Sequence, residues 1–348
     1  MKYSWWKIAG VLLMLYVFVA GLVVPLKPGI IGVSPISIEA NQTASIDIIG
    51  YNTHFESEKS TMQVWLKIDS TSGYKAREIK TTGERNLTAI FDIGALADTS
   101  EALLLVVNDL DGTAIRPRAV KINSPEDQGT GAISKLKSLP ANTFTTKSGF
   151  YFPYRSILDE TIRNTFFHVA LWMSMFILLS IGLYDSIQYL RTKQIDYDIK
   201  ASSYSYAAIL YGLLGLATGS IWAKYSWGTW WTPDVKLNMA AITMLIYAAY
   251  GVLRSGIDDI DKRAQLSAIY NIFAFAAMIP LIFVIPRLTD SLHPGNGGNP
   301  AIGGEDLDNT LRMVFYPAII GLFLLGRWIA TLNIRIERLR AHQLESDL

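Results

Sequence analysis

Four histidines, His54, His168, His293 and His342, and no cysteine bound the ligand chemistry of this 348-residue sequence. Without thiols the chain has no disulfide, thiolate zinc site, iron–sulfur cluster, cysteine nucleophile or thioether-linked haem. Neutral imidazoles remain, and these are good ligands for iron. His168 stands in Thr165-Phe-Phe-His-Val-Ala-Leu-Trp172 and His293 in Thr289-Asp-Ser-Leu-His-Pro-Gly295. Between them runs Gly219-Ser-Ile-Trp-Ala-Lys-Tyr-Ser-Trp-Gly-Thr-Trp-Trp-Thr-Pro-Asp-Val-Lys236, which holds four of the chain's nine tryptophans. Trp222, Trp227, Trp230 and Trp231 would form an aromatic shelf for a flat apolar ring system, with Lys224 or Lys236 meeting anionic groups on its rim. The other reading is an interfacial aromatic belt around a tight interhelix connection.

The elements that must position these residues are membrane spans. Hydrophobic residues make up 50% of the chain and charged ones only 18%, below the ~25% usual for soluble domains. Uncharged runs long enough to cross a bilayer occur near 8–26, 166–184, 204–223, 237–253, 264–286 and 313–334, the last broken only by Arg327, which can snorkel to an interface. Lys and Arg cluster before the first run and after the second, fourth and sixth. The positive-inside rule then places both termini in the cytoplasm and puts His168, His293 and the tryptophan-rich connection at one outer face. Two imidazoles at one depth beside such a shelf favour a bis-histidine haem site. The first run exceeds a usual signal-peptide core and is read as an uncleaved anchor, residues 1–27.

Residues 28–148 read differently. Alternating apolar and β-branched runs at 36–40, 45–49, 62–68, 87–93 and 102–107, separated by Gly, Asn, Asp and Ser clusters, predict a small extracytoplasmic β-sandwich. Residues 123–148, rich in Ser, Thr, Gly, Pro and Lys, predict a linker back to the five remaining helices, residues 149–348. The fold expected is therefore a polytopic α-helical membrane protein with six transmembrane helices and a β-domain inserted in its first outside loop. A net charge of +1 supplies no field for a polyanion, so nucleic acid is excluded as a partner.

Trp227-Gly-Thr-Trp-Trp-Thr-Pro-Asp-Val-Lys236 resembles the "WWD" signature of the CcmC/CcsA haem-handling family of cytochrome c biogenesis, and the likeness is strongest to its CcmC branch. Thr218-Gly-Ser-Ile-Trp222, the apolar stretch from Tyr247 to Arg254, Ile257-Asp-Asp259 and Leu292-His293 extend the likeness from about residue 164 to the C-terminus. The resemblance implies non-covalent, b-type haem with His168 and His293 as axial ligands. Trp222, Trp227, Trp230, Trp231 and Asp234 are then the motif positions, with Lys236 at a propionate-contacting position. It implies a haem-transfer protein of the bacterial inner membrane rather than a catalyst, working with an extracytoplasmic haem chaperone and other maturation subunits. Pro233 replaces a usual tryptophan and Lys236 a usual arginine. Val169-Ala-Leu-Trp172 and Leu288-Thr-Asp290 also depart from the segments usual beside the two histidines.

A haem-retaining electron-transfer subunit, like a membrane cytochrome b, is the alternative. It would grip its haem with histidines inside spans, whereas His293 lies beyond one. A transporter or receptor without haem is the third reading. His54 and His342 read as ordinary surface histidines, and 258–261 as a solvated helix connection. Glu305, Asp306 and Asp308 lie in the Gly-rich loop after His293, where a solvated loop is favoured over a cation site. No nucleotide-binding glycine motif follows a strand.

Overall fold

The computed structural model describes residues 5–69, 71–96, 98–124, 136–139, 149–156, 158–293 and 307–346. The chain divides into two compact units, one built from Met1–Val24 with Thr161–Leu348 and the other from Pro25–Glu160.

The first unit is helical. Helix α1 is Trp5–Val23; a 3₁₀ segment, Asp159–Phe166, leads into α2, His168–Thr192; then follow α3, Ile195–Trp227, and α4, Val235–Ser255. Helix α5, Ile260–Ile279, passes through a π-turn, Pro280–Val284, into the short α6, Ile285–Leu288, and α7 is Asn309–Ser346. Six of these stretches are long and apolar enough to cross a membrane. Within a bilayer the backbone must satisfy its own hydrogen bonds, so uncharged runs of this length become helices. Pro280 lacks an N–H, and the helix resumes its ladder through an Ile285 N–H to Pro280 carbonyl bond, one residue longer than in an α-turn.

Helix α1 packs along α7, where the Tyr16 hydroxyl donates to the Met313 carbonyl at 3.1 Å. Near its start, Arg327 lies over the Trp6 ring and Lys7 over Trp328. Cations at this end of the bundle thus rest on aromatic faces. At the other end, the Arg163 guanidinium donates to the carbonyls of Gly21 and Val24 at 2.8 and 2.7 Å, and Phe18 meets Phe167. The last turn of α1 is therefore joined directly to the start of α2. Inside the bundle Arg254 of α4 forks onto Asp198 of α3 with contacts of 2.6 and 2.9 Å.

The second unit is a pair of sheets. Strands β1 (Gly29–Ser34), β3 (Thr43–Tyr51), β7 (Asn86–Asp92) and β6 (Glu78–Gly83) form one, in the order β1-β3-β7-β6. The other has the order β10-β5-β4-β8-β9-β2, built from β2 (Ser37–Glu39), β4 (Gln63–Lys67), β5 (Ser72–Lys75), β8 (Ser100–Asn108), β9 (Gly112–Asn123) and β10 (Lys137–Ser138). All pairings are antiparallel except β2 with β9. Burial alternates strictly along β3, and its inward Ile46 and Ile48 share one apolar core with Phe55, Leu66, Phe91 and Leu104. This unit begins earlier and ends later than the alternation alone predicts. Leu26 bridges Phe152, and the Tyr154 ring fills the space that a side chain at Gly29 would take. The expected linker falls largely outside the described residues, but Lys137–Ser138 within it pairs with β5.

Candidate functional site

His168 is the first residue of α2, and its neighbours are set by spacing on two helices. His168 and Trp172 stand one turn apart and face Gly215 and Gly219, one turn apart on α3. A methyl group at Gly219 would lie 2.7 Å from the His168 ring and one at Gly215 would lie 2.9 Å from Trp172, so only glycine admits this approach. The His168 Nδ1 is 3.0 Å from the Gly215 carbonyl and 3.2 Å from the Thr218 hydroxyl. A carbonyl only accepts, so Nδ1 carries the proton and Nε2 keeps its lone pair.

His293 reaches the same place by another route. Helix α3 stops at Gly228, whose φ of 78° is the left-handed C-cap that glycine adopts without strain. The Lys224 ammonium donates to the Gly228 carbonyl, closing this end. The chain then re-enters a helix at Asp234, the N-cap of α4, whose Oδ1 accepts from the N–H groups of Lys236 at 2.9 Å and Leu237 at 3.4 Å. The same carboxylate accepts from the Leu292 N–H at 2.8 Å and from His293 Nδ1 at 3.1 Å. One buried acid thus caps a helix and fixes a histidine from 59 residues further along. Here too Nδ1 is the donor and Nε2 is left open.

The Asp234 side chain is 1% exposed and that of His293 18%. Burial opposes ionisation of Asp234, but hydrogen bonds from the Ser291 hydroxyl and the Leu292 and Lys236 N–H groups, with the His293 imidazole, outweigh it and hold the carboxyl below its usual value. Burial also holds His293 below the ordinary imidazole value, against the upward pull of Asp234 and with Lys236 adding to the depression. His293 is therefore neutral at physiological pH, as a metal ligand must be.

Both histidines line one cleft of about 880 Å³, its open mouth included. Trp231 and Lys236 line it as well, and Phe176 and Phe283 close its apolar side. The tryptophans do not form one flat shelf. Trp222 lies within α3 and Trp227 ends it; their rings meet edge-on at 75° and pack against His293 at 5.5 and 4.9 Å. Trp231 bonds Asn238, while Trp230 is 59% exposed. The shelf expectation therefore resolves into two rings bracing His293, one lining the cleft and one turned outward. The reason is that α3 runs on to Trp227, so the first pair follows helical rather than loop geometry.

The sequence motifs assign no site role to Gly215, Thr218, Gly219 or Ser291, all of which contact a histidine, Trp172 or Asp234 here. The small-x-x-x-small spacing of Gly215 and Gly219 was the available signal. Of the other histidines, His342 is exposed on α7, whereas His54 is tied through Nδ1 to the buried Asp111 at 2.7 Å. Asp259 caps α5 in an exposed connection, and no cluster of three metal-ligating residues occurs among the described residues. Pro294, Gly295, Glu305 and Asp306 lie outside them.

Comparison with known proteins bears directly on this cleft. Residues 141–347, which contain α2 through α7 and both histidines, match the family model for CcmC, heme exporter protein C. The chain belongs to the heme exporter protein C family. Among its relatives, the Heme exporter protein C of Paracoccus denitrificans is 27% identical over 190 residues, 54% of this chain and 78% of that one. That of Bradyrhizobium diazoefficiens is 29% identical over 187 residues, 52% and 68% of the two chains. The Cytochrome c biogenesis protein CcsA of Prochlorococcus marinus (strain MIT 9515) is 43% identical over 93 residues, 26% of this chain and 28% of its own. Heme exporter family membership makes this a multi-pass membrane protein of bacterial haem export and cytochrome c biogenesis, a haem-handling protein rather than a catalyst.

Proposed function

We propose that the chain holds haem in the cleft between His168 and His293, each ligating iron through Nε2, and releases it to an extracytoplasmic haem chaperone. One observation carries this reading: two imidazoles from distant segments line one apolar cleft, each with Nδ1 engaged by a fixed acceptor. That pairing orients the ring and raises the basicity of the free nitrogen. Trp222 and Trp227 brace His293, Trp231 offers a face to the porphyrin, and the Lys236 side chain meets a propionate. Trp230 is a surface contact for the acceptor. Haem supplies only ligand exchange here, and bis-histidine ligation without thioether bonds is compatible with delivery.

The orientation follows from Lys and Arg placement: both termini cytoplasmic, and the cleft and β-unit on the periplasmic side of the inner membrane. Other cytochrome c maturation subunits are the expected membrane partners.

The test is the visible spectrum of the purified full-length protein. The expected result is a Soret band with low-spin bis-imidazole character, altered in H168A and in H293A and absent from the double variant. A band unchanged in the double variant overturns the ligand assignment. Haem that never passes to an added apo-acceptor would favour a permanently haem-loaded electron-transfer subunit.

A further inference from the structure

The end of the helical bundle away from the haem cleft contains a second cavity of about 1200 Å³, its open mouth included. Ser202 and Ser203 come from α3, Arg254 from α4, Arg263 from α5, and Asn333 and Glu337 from α7. Its charges are not balanced. Arg254 is neutralised by Asp198 beneath it, and Glu337 by Arg340 at 2.7 Å. Among the described residues the Arg263 side chain makes no ion pair, and its Nε is buried without a hydrogen-bond partner. The Arg263 side chain also lines the cavity, so its charge is offered to an acceptor there.

The hydroxyls narrow the chemistry. Ser202 and Ser203 both donate to the Ile199 carbonyl, at 3.1 and 2.7 Å, so their oxygens face the cavity chiefly as acceptors. The Asn333 amide donates to Ser203 at 3.2 Å, which leaves its second N–H for another acceptor. The cavity therefore offers cationic and amide donors beside oxygens that accept from hydroxyls. Its lip is apolar: Ile329, Leu332 and Ile336, at i, i+3 and i+7 on α7, are all exposed in a segment that crosses the membrane. A soluble anion has no use for that stripe, whereas acyl chains do.

We propose that this cavity binds an anionic phospholipid, its phosphate on Arg263, its headgroup hydroxyls on Ser202 and Ser203, and its chains along Ile329, Leu332 and Ile336. Basic recesses between helices at the cytoplasmic side of a membrane take such headgroups.

The experiment uses the full-length chain in detergent, exchanged into phosphatidylglycerol or phosphatidylcholine and read by native mass spectrometry. One phosphatidylglycerol is expected to stay bound under activation that strips phosphatidylcholine. R263Q should lower its retention about fivefold, the loss of one near-surface cation. R263K should keep most of it, and R191Q, at an exposed arginine of the same bundle end, should change nothing. Should R263Q melt early by circular dichroism, I336N tests the acyl contact with the cavity charge intact and should also reduce retention. Equal loss in R263Q and R191Q overturns the proposal. So does saturation of the site by inorganic phosphate alone, or displacement of the lipid by added haem.

Discussion

Asp234 does two things at once, and they can be separated. Its carboxylate caps α4 through the Lys236 and Leu237 N–H groups, and it holds His293 by Nδ1. Asparagine can still cap a helix, but it lacks the charge that stabilises the imidazole dipole and would stabilise a metal-bound ring. D234N should therefore leave helix stability nearly unchanged while weakening haem binding by about 10–100-fold, the usual cost of losing a metal ligand's own hydrogen-bond partner. D234A should show the same weakening plus about 1 kcal/mol of lost stability from the missing cap. Titration with haem beside thermal melting checks both, and unchanged affinity in D234N refutes the role. The pH dependence has a definite sign. Burial depresses His293 below its ordinary value, so the ring is neutral and competent throughout the neutral range. Haem affinity should stay flat from about pH 8 to about pH 6.5 and fall below that, as protons compete for Nε2. A fall beginning above neutrality would contradict it. The histidines were legible because imidazoles at one membrane face are few. The Asp234–His293 contact was not, since it joins residues far apart in sequence and leaves no local period.

At the scale of elements, the Asp198–Arg254 fork determines how α3 and α4 stand together at the end away from the cleft. The two side chains are 5% and 11% exposed, so the charges are almost wholly removed from water. Removing one partner strands the other. R254M should destabilise the bundle by about 3–5 kcal/mol, whereas D198L/R254M, with both charges gone, should recover most of that loss. Thermal melting in one detergent distinguishes them, and equal melting of single and double variants would show that the pair is not coupled. The spans themselves were readable because a long uncharged run has few alternatives in a bilayer. The strands were readable where alternation was clean, as in β3 and β7. Strand β9 was hidden by Pro117, which removes a ladder donor; the structure accommodates it at a register shift opposite Ala102 and Leu104, with Arg118 at a φ of 48°. The π-turn at Pro280–Val284 has no periodicity that a sequence reading could catch, yet it carries Ile282 and Phe283 into the cleft wall.

On the scale of the whole molecule, the family match and the site coincide in one unit. Residues 141–347 contain both candidate ligands and their bracing rings, while most of Pro25–Glu160 lies outside the match. The helical unit also holds its own ends together, because Arg163 binds the Gly21 and Val24 carbonyls and Phe18 meets Phe167. The β-unit is thus inserted between two points that already touch, and a short connection can replace it at little cost in chain entropy. Joining Val24 to Thr161 through a few glycine and serine residues should give a protein that still inserts and still shows the haem band, since no candidate ligand is removed. If the β-unit serves as a docking surface for the acceptor, its removal should matter only at the transfer step. Haem transfer to a periplasmic chaperone should slow while the amount bound stays constant. A transfer rate equal to that of the full chain would remove docking from the β-unit's role, and loss of the haem band itself would mean that the cleft depends on the inserted unit.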